Sequence, residues 1–148
     1  MLPLALALAS ALTQQPASLI GHWDCAGHFV RSGKPIAATL DIRLGANPAT
    51  LLISHRDKPP TSYRADEIWV FGGGARAAIA DASGMRWFDM EVQPGTIILA
   101  RADDNGPLEK FVYTLSGSGD LTIDWLHRGP GAALVVGDTV RCRRVASA

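Results

Sequence analysis

Beyond residue 18 the chain alternates apolar and polar positions, with turn-forming residues every 8 to 14 positions. The clearest stretch spans residues 35–44. Ile36, Ala38, Leu40, Ile42 and Leu44 take one side, and Ala37, Thr39, Asp41 and Arg43 take the other. A period of two is that of a strand with one face buried. The same rhythm predicts strands over residues 20–31, 35–44, 50–56, 63–71, 76–82, 85–92, 96–102, 108–115, 121–127 and 134–144. They are punctuated by Ser32-Gly33-Lys34, Gly45-Ala46-Asn47-Pro48, Pro59-Pro60, Gly72-Gly73-Gly74, Ser83-Gly84 and Pro94-Gly95. No window carries the three-four spacing of a helix. A sheet of so many strands must curl, split or close. The expected fold class is therefore all-β, a closed antiparallel up-and-down barrel of about 8–10 strands with the first and last strands paired.

Two cysteines support closure. Cys25 lies in the first strand and Cys142 in the last. A disulfide between them implies an antiparallel register in which Trp23 faces Arg144. All four side chains then share one face, together with Gly27 and Phe29 from the first strand and Leu134, Val136 and Val140 from the last. Its apolar bias marks that face as interior.

The opening residues read differently. Residues 2–9 form a short apolar core, and Ala9-Ser10-Ala11 offers the small-x-small pattern cleaved from exported proteins. Residues 1–18 are accordingly expected to be a signal peptide or disordered N-terminal segment, and residues 19–148 a single β-barrel domain. An oxidised cysteine pair suits the same periplasmic or secreted location. The 148 residues carry 14 Lys+Arg and 14 Asp+Glu, so no net field draws the protein to nucleic acid or to an acidic membrane. No apolar run reaches the roughly 20 residues of a membrane-spanning helix. A monomer is expected.

Gly21-His22-Trp23 at the head of the first strand, with Arg144 near the end of the last, resembles the calycin superfamily: lipocalins, fatty-acid-binding proteins, avidins and nitrobindin-like proteins. That resemblance implies a barrel with one end closed by Arg144 stacked on Trp23, a contact worth about 2 kcal/mol when buried. Ten strands suit the fatty-acid-binding or nitrobindin-like branch better than the eight-stranded lipocalins.

Catalytic chemistry finds no constellation. There is no Gly-x-Ser-x-Gly elbow, and Gly72-Gly73-Gly74 lacks the Lys-Ser/Thr of a phosphate loop, so the triplet reads as a hairpin turn. Glu67 and Asp89 make a carboxylate pair only on paper. His22, Asp24 and His28 share the outward face of the first strand at a spacing too wide for chelation. The region 125–129 around His127 reproduces no haem motif. The chain is read as a non-enzyme with no catalytic residue, no metal and no cofactor.

Its aromatic residues are more informative. Tyr63, Glu67, Trp69 and Phe71 share a face, as do Phe111, Tyr113 and Leu115, and Trp125 joins Leu121 and Ile123. Pointing inward, they either line a cavity or fill the barrel. In the first case Tyr63, Trp69, Tyr113 and Trp125 would surround a small, largely apolar ligand, with Glu67, His55, Arg86 and His127 as polar contacts. The planar fork of Arg86 would suit a carboxylate or phosphate. In the second case the partner is a protein. The run 82–87, Ala-Ser-Gly-Met-Arg-Trp, resembles the Ser-Gly loop of periplasmic inhibitors of C-type lysozyme. That likeness implies Ser83, Gly84 and Arg86 as a docking loop. The family's second, lysine-bearing loop has no counterpart beside Pro94-Gly95. A cavity of roughly 300 Å³ or more separates the two readings.

Overall fold

The computed structural model describes residues 17–146, so most of the expected leader, residues 1–16, lies outside the described residues. Ten strands follow a 3-10 turn at Ala17–Leu19: β1 (Gly21–Phe29), β2 (Pro35–Leu44), β3 (Thr50–Asp57), β4 (Arg64–Val70), β5 (Arg76–Asp81), β6 (Gly84–Gln93), β7 (Thr96–Asp103), β8 (Gly106–Leu115), β9 (Leu121–Arg128) and β10 (Leu134–Val145). A second 3-10 turn, Pro130–Ala132, precedes β10. Each strand pairs antiparallel with its sequence neighbours, and β10 returns to β1 to close the barrel. The fold class and the ends' pairing are as expected. Every strand boundary falls within two residues of the sequence reading.

Closure rests on the β1–β10 seam. Cys25 pairs with Cys142 and Trp23 with Arg144, and the two cysteines are joined as a disulfide. Glycine is required at one point of this seam. A Cβ on Gly27 would lie 1.8 Å from the Thr139 carbonyl oxygen, so the strands approach there more closely than any side chain permits.

The end of the barrel near the start of β1 is plugged. Leu19 is buried, and the indole Nε1 of Trp23, itself 0% exposed, donates to the Leu19 carbonyl at 3.0 Å. Arg144 lies over that indole, 4.3 Å from its centroid, and donates to the carbonyls of Ser18 and Ile20. The stack expected from the sequence is present, but Arg144 is exposed. The contact therefore belongs at the solvated end of the range, about 0.5–1 kcal/mol, not at the buried value. Trp69, Phe88, Leu51, Leu99 and Leu121, all 0% exposed, pack the barrel interior.

Three inward assignments on the strands change, those of Leu44, Leu134 and Val136. Leu44 is 48% exposed at the end of β2. On β10 the ladder slips between Val136 and Asp138. A bulge at Gly137 reverses the parity of the residues before it. Val136 pairs with Leu126 and is 41% exposed, while Leu134 pairs with Arg128. Asp138, beyond the slip, keeps the inward parity of Val140 and Cys142 and lines the interior.

Candidate ligand-binding cavity

The half of the barrel away from the Trp23 plug is hollow. A cavity of about 350 Å³ is bounded by Phe29, Ile36, Phe111, Ile123, Trp125 and Val140 among its apolar walls. It reaches solvent past Phe29, Asp57, Tyr63 and Asp81, which it shares with a shallow depression floored by Thr61, Ser62 and Ser83. Up-and-down connectivity explains the asymmetry. The 3-10 turn before β1 folds across one end, whereas the β3–β4 and β5–β6 turns stand around the other.

Six of the eight expected ligand contacts line this space: His55, Tyr63, Glu67, Arg86, Tyr113 and Trp125. Trp69 and His127 do not. Trp69 is fully buried behind the wall, where its Nε1 donates to Glu67 Oε2 at 2.8 Å and its ring meets Tyr113 edge-on at 4.7 Å. Its role is to hold Glu67 and Tyr113 in place. On β6 the sequence left the inward side open. The structure turns Arg86, Phe88 and Met90 inward and leaves Met85 and Trp87 63% and 51% exposed.

Arg86 is tightly engaged. Its Nη1 donates to both oxygens of Glu109 at 2.8 and 2.9 Å, and its Nη2 donates to Asp81. Arg101 Nε and Trp125 Nε1 also donate to Glu109, at 2.6 and 2.9 Å. Asp81 further accepts from the Tyr63 hydroxyl at 3.2 Å and from the amide and hydroxyl of Ser83 at 2.9 and 2.5 Å. A guanidinium bound this way presents no free fork to an incoming anion, although Arg86 does line the cavity. The same bonds hold Ser83 back against the barrel rim.

Glu109 and Asp81, together with Asp57 and Asp138, are cavity-lining carboxylates that the sequence reading did not select. The signal was present for all of them: Asp57 alternates with Ile53 and His55, and Asp138 with Val140 and Cys142. Glu109 alternates with Phe111 and Tyr113, and Asp81 with Ala77 and Ile79. Asp89, by contrast, points outward, so its pairing with Glu67 is not formed. His22, Asp24 and His28 are exposed on the outer wall as expected, with His22 beside Asp41 and Asp24 beside Lys58. His127 does not line the cavity; it stacks on Trp125 at 4.7 Å. No group of three or more metal-ligating side chains comes together among the described residues.

Burial sets the electrostatics. It pushes the Glu67 carboxyl up to about 7, with Trp69, His55 and Arg86 offsetting only part of the effect. Asp138 is pushed up to about 6, again chiefly by burial. Asp57 goes the other way: burial would raise it, but its bonds to His55 and Thr61 outweigh that and hold it below the usual carboxylate range. Burial likewise opposes, and the Ser83 bonds and Arg86 charge outweigh, the shift at Asp81, which is lowered. The hydroxyls of Tyr63 and Tyr113 are pushed well up by burial and by the charge of Glu67, so both are donors at neutral pH.

No protein-family model matches the chain, and no curated protein matches it. Among solved structures, the crystal structure of Rv2717c from M. tuberculosis matches with a TM-score of 0.59 at 13% identity, covering 88% of this chain and 94% of that one. Likeness at that identity shows a shared fold alone.

Proposed function

We propose that the barrel is a binding protein for a small, largely apolar molecule held in its open half. The observation carrying this reading is the cavity of about 350 Å³, lined by eight aromatic and aliphatic side chains and seven ionisable ones, most of the latter bonded to one another. That volume is within the range of small-ligand sites in general. A barrel packed solid would have favoured the loop reading. The Ser83 loop draws less support, because its hydroxyl and amide are both bound to Asp81. The Cys25–Cys142 disulfide supports an exported, oxidising location for this binding protein. The Trp23–Arg144 contact supports a calycin-like ancestry.

Titration with the neutral fluorophore N-phenyl-1-naphthylamine tests the reading. Saturable enhancement at one probe per chain is expected, and Ile123→Trp, which fills the cavity, should abolish it. A linear, non-saturating response would overturn the proposal. Native mass spectrometry of gently purified protein should in addition show a non-covalent adduct that is lost in Ile123→Trp.

A further inference from the structure

Five carboxylates line the cavity, and they do not share its cations equally. Asp81 and Glu109 take Arg86 and Arg101, and Asp57 is hydrogen-bonded to the His55 ring at 2.9 Å. Glu67 and Asp138 are left over. Glu67 is 5% exposed and receives one bond, from Trp69 to Oε2. Its other oxygen, like both oxygens of Asp138, has no donor among the described residues, and both side chains line the cavity. Tyr113, also 5% exposed, brings an unpartnered hydroxyl to the same wall. These oxygens face the cavity space, where an occupant that supplies donors can meet them; the one buried polar side-chain atom without a partner among the described residues is Arg86 Nε.

From this arrangement we infer that the ligand is an organic ammonium: an aromatic or aliphatic body against Phe111 and Trp125, with a protonated amine donating to one of the two uncommitted carboxylates, Glu67 and Asp138, and attracted by the other. The inference rests on the cavity-binding reading and sharpens it to one charge class. A metal ion is a poor occupant, because the ligating side chains do not converge as a cluster among the described residues. An anion is worse placed, since both Nη groups of the one arginine on the wall are held by carboxylates and only its buried Nε is without a partner. A cation also relieves the burial that raises Glu67 and Asp138, because it returns an opposite charge to each.

Three probes of one shape separate the outcomes in calorimetry at pH 7.5: 2-naphthylmethylamine, 2-naphthylmethanol and 2-naphthoate. The amine is expected to bind about tenfold or more tightly than the alcohol, and the carboxylate most weakly. Glu67→Gln, which keeps an acceptor for Trp69, and Asp138→Asn should each weaken the amine several-fold and leave the alcohol within about twofold. Alcohol binding equal to or tighter than the amine would overturn the charge assignment and leave the cavity reading standing. Tightest binding of the carboxylate would overturn it in favour of Arg86. If none of the three binds while N-phenyl-1-naphthylamine does, the ammonium assignment fails alone; if that probe also fails, both readings fall. Melting curves of the two variants verify that they are folded.

Discussion

A carboxyl held near 7 inside an apolar wall makes Glu67 a reporter of its own surroundings. Its ordinary value is 4.5, and in the fold it is about 7. Between those values the unfolded chain binds fewer protons than the folded one, so stability falls as pH rises from about 4.5 to about 7 and levels off above. The full effect is on the order of 3 kcal/mol. Asp138, moved from 3.8 to about 6, adds a smaller effect of the same sign. The lowered Asp57 and Asp81 act oppositely, but their effect is confined to more acid solution, where they become protonated. Urea midpoints of the ligand-free protein at pH 5, 6, 7 and 8 should therefore decline, and Glu67→Gln should flatten most of the decline. An undiminished slope in that variant would count against the assignment. Residues such as Glu67 and Tyr113 were legible as inward-facing because period-two alternation carries them. Trp69 was read one step too far: the pattern says which side a ring faces, not whether it reaches the hollow or stands behind it. The engagement of Arg86 was not legible, since it depends on carboxylates from β5 and β8 meeting across the interior.

At the level of the strands, the β1–β10 seam was readable because two independent pairs, Cys25 with Cys142 and Trp23 with Arg144, demand one register. The bulge on β10 was signalled but not read. Gly137, an isolated glycine within the strand, is the residue type that marks a bulge and went unused, and a slip of one reverses every face upstream. Two expectations test the seam. Gly27→Ala sets a methyl against the Thr139 carbonyl and should cost about 3 kcal/mol in denaturant unfolding. Replacing both cysteines by serine removes a cross-link spanning 117 residues and should cost about 4–5 kcal/mol on the chain-entropy account, while the far-ultraviolet dichroism of the sheet is retained. Loss of that spectrum on replacement would mean that the ladder depends on the bond.

Across the whole molecule, nine of the ten strand pairings are hairpins between sequence neighbours, and only one joins distant parts of the chain. That one pairing removes both free edges at once. A chain ending before Leu134 would expose the edges of β1 and β9, and it is expected to elute as large aggregates in size-exclusion chromatography. A monodisperse truncated form would show that closure is dispensable. The closed outline followed from strand count and the two ends. The division into a packed half and a hollow half did not, because alternation counts inward side chains and is silent on whether their volumes add up to the space enclosed.

Gly137 has an effect that its place in the wall makes specific. The Trp125 ring lies where its Cβ would be, at 2.6 Å, with His127 alongside at 2.8 Å. The cavity wall at Trp125 is thus backed by bare backbone, whose carbonyl is tied to the Val30 amide at 3.0 Å. A single methyl there would push the indole toward the lumen, narrowing the hollow half and straining the bond from Trp125 to Glu109.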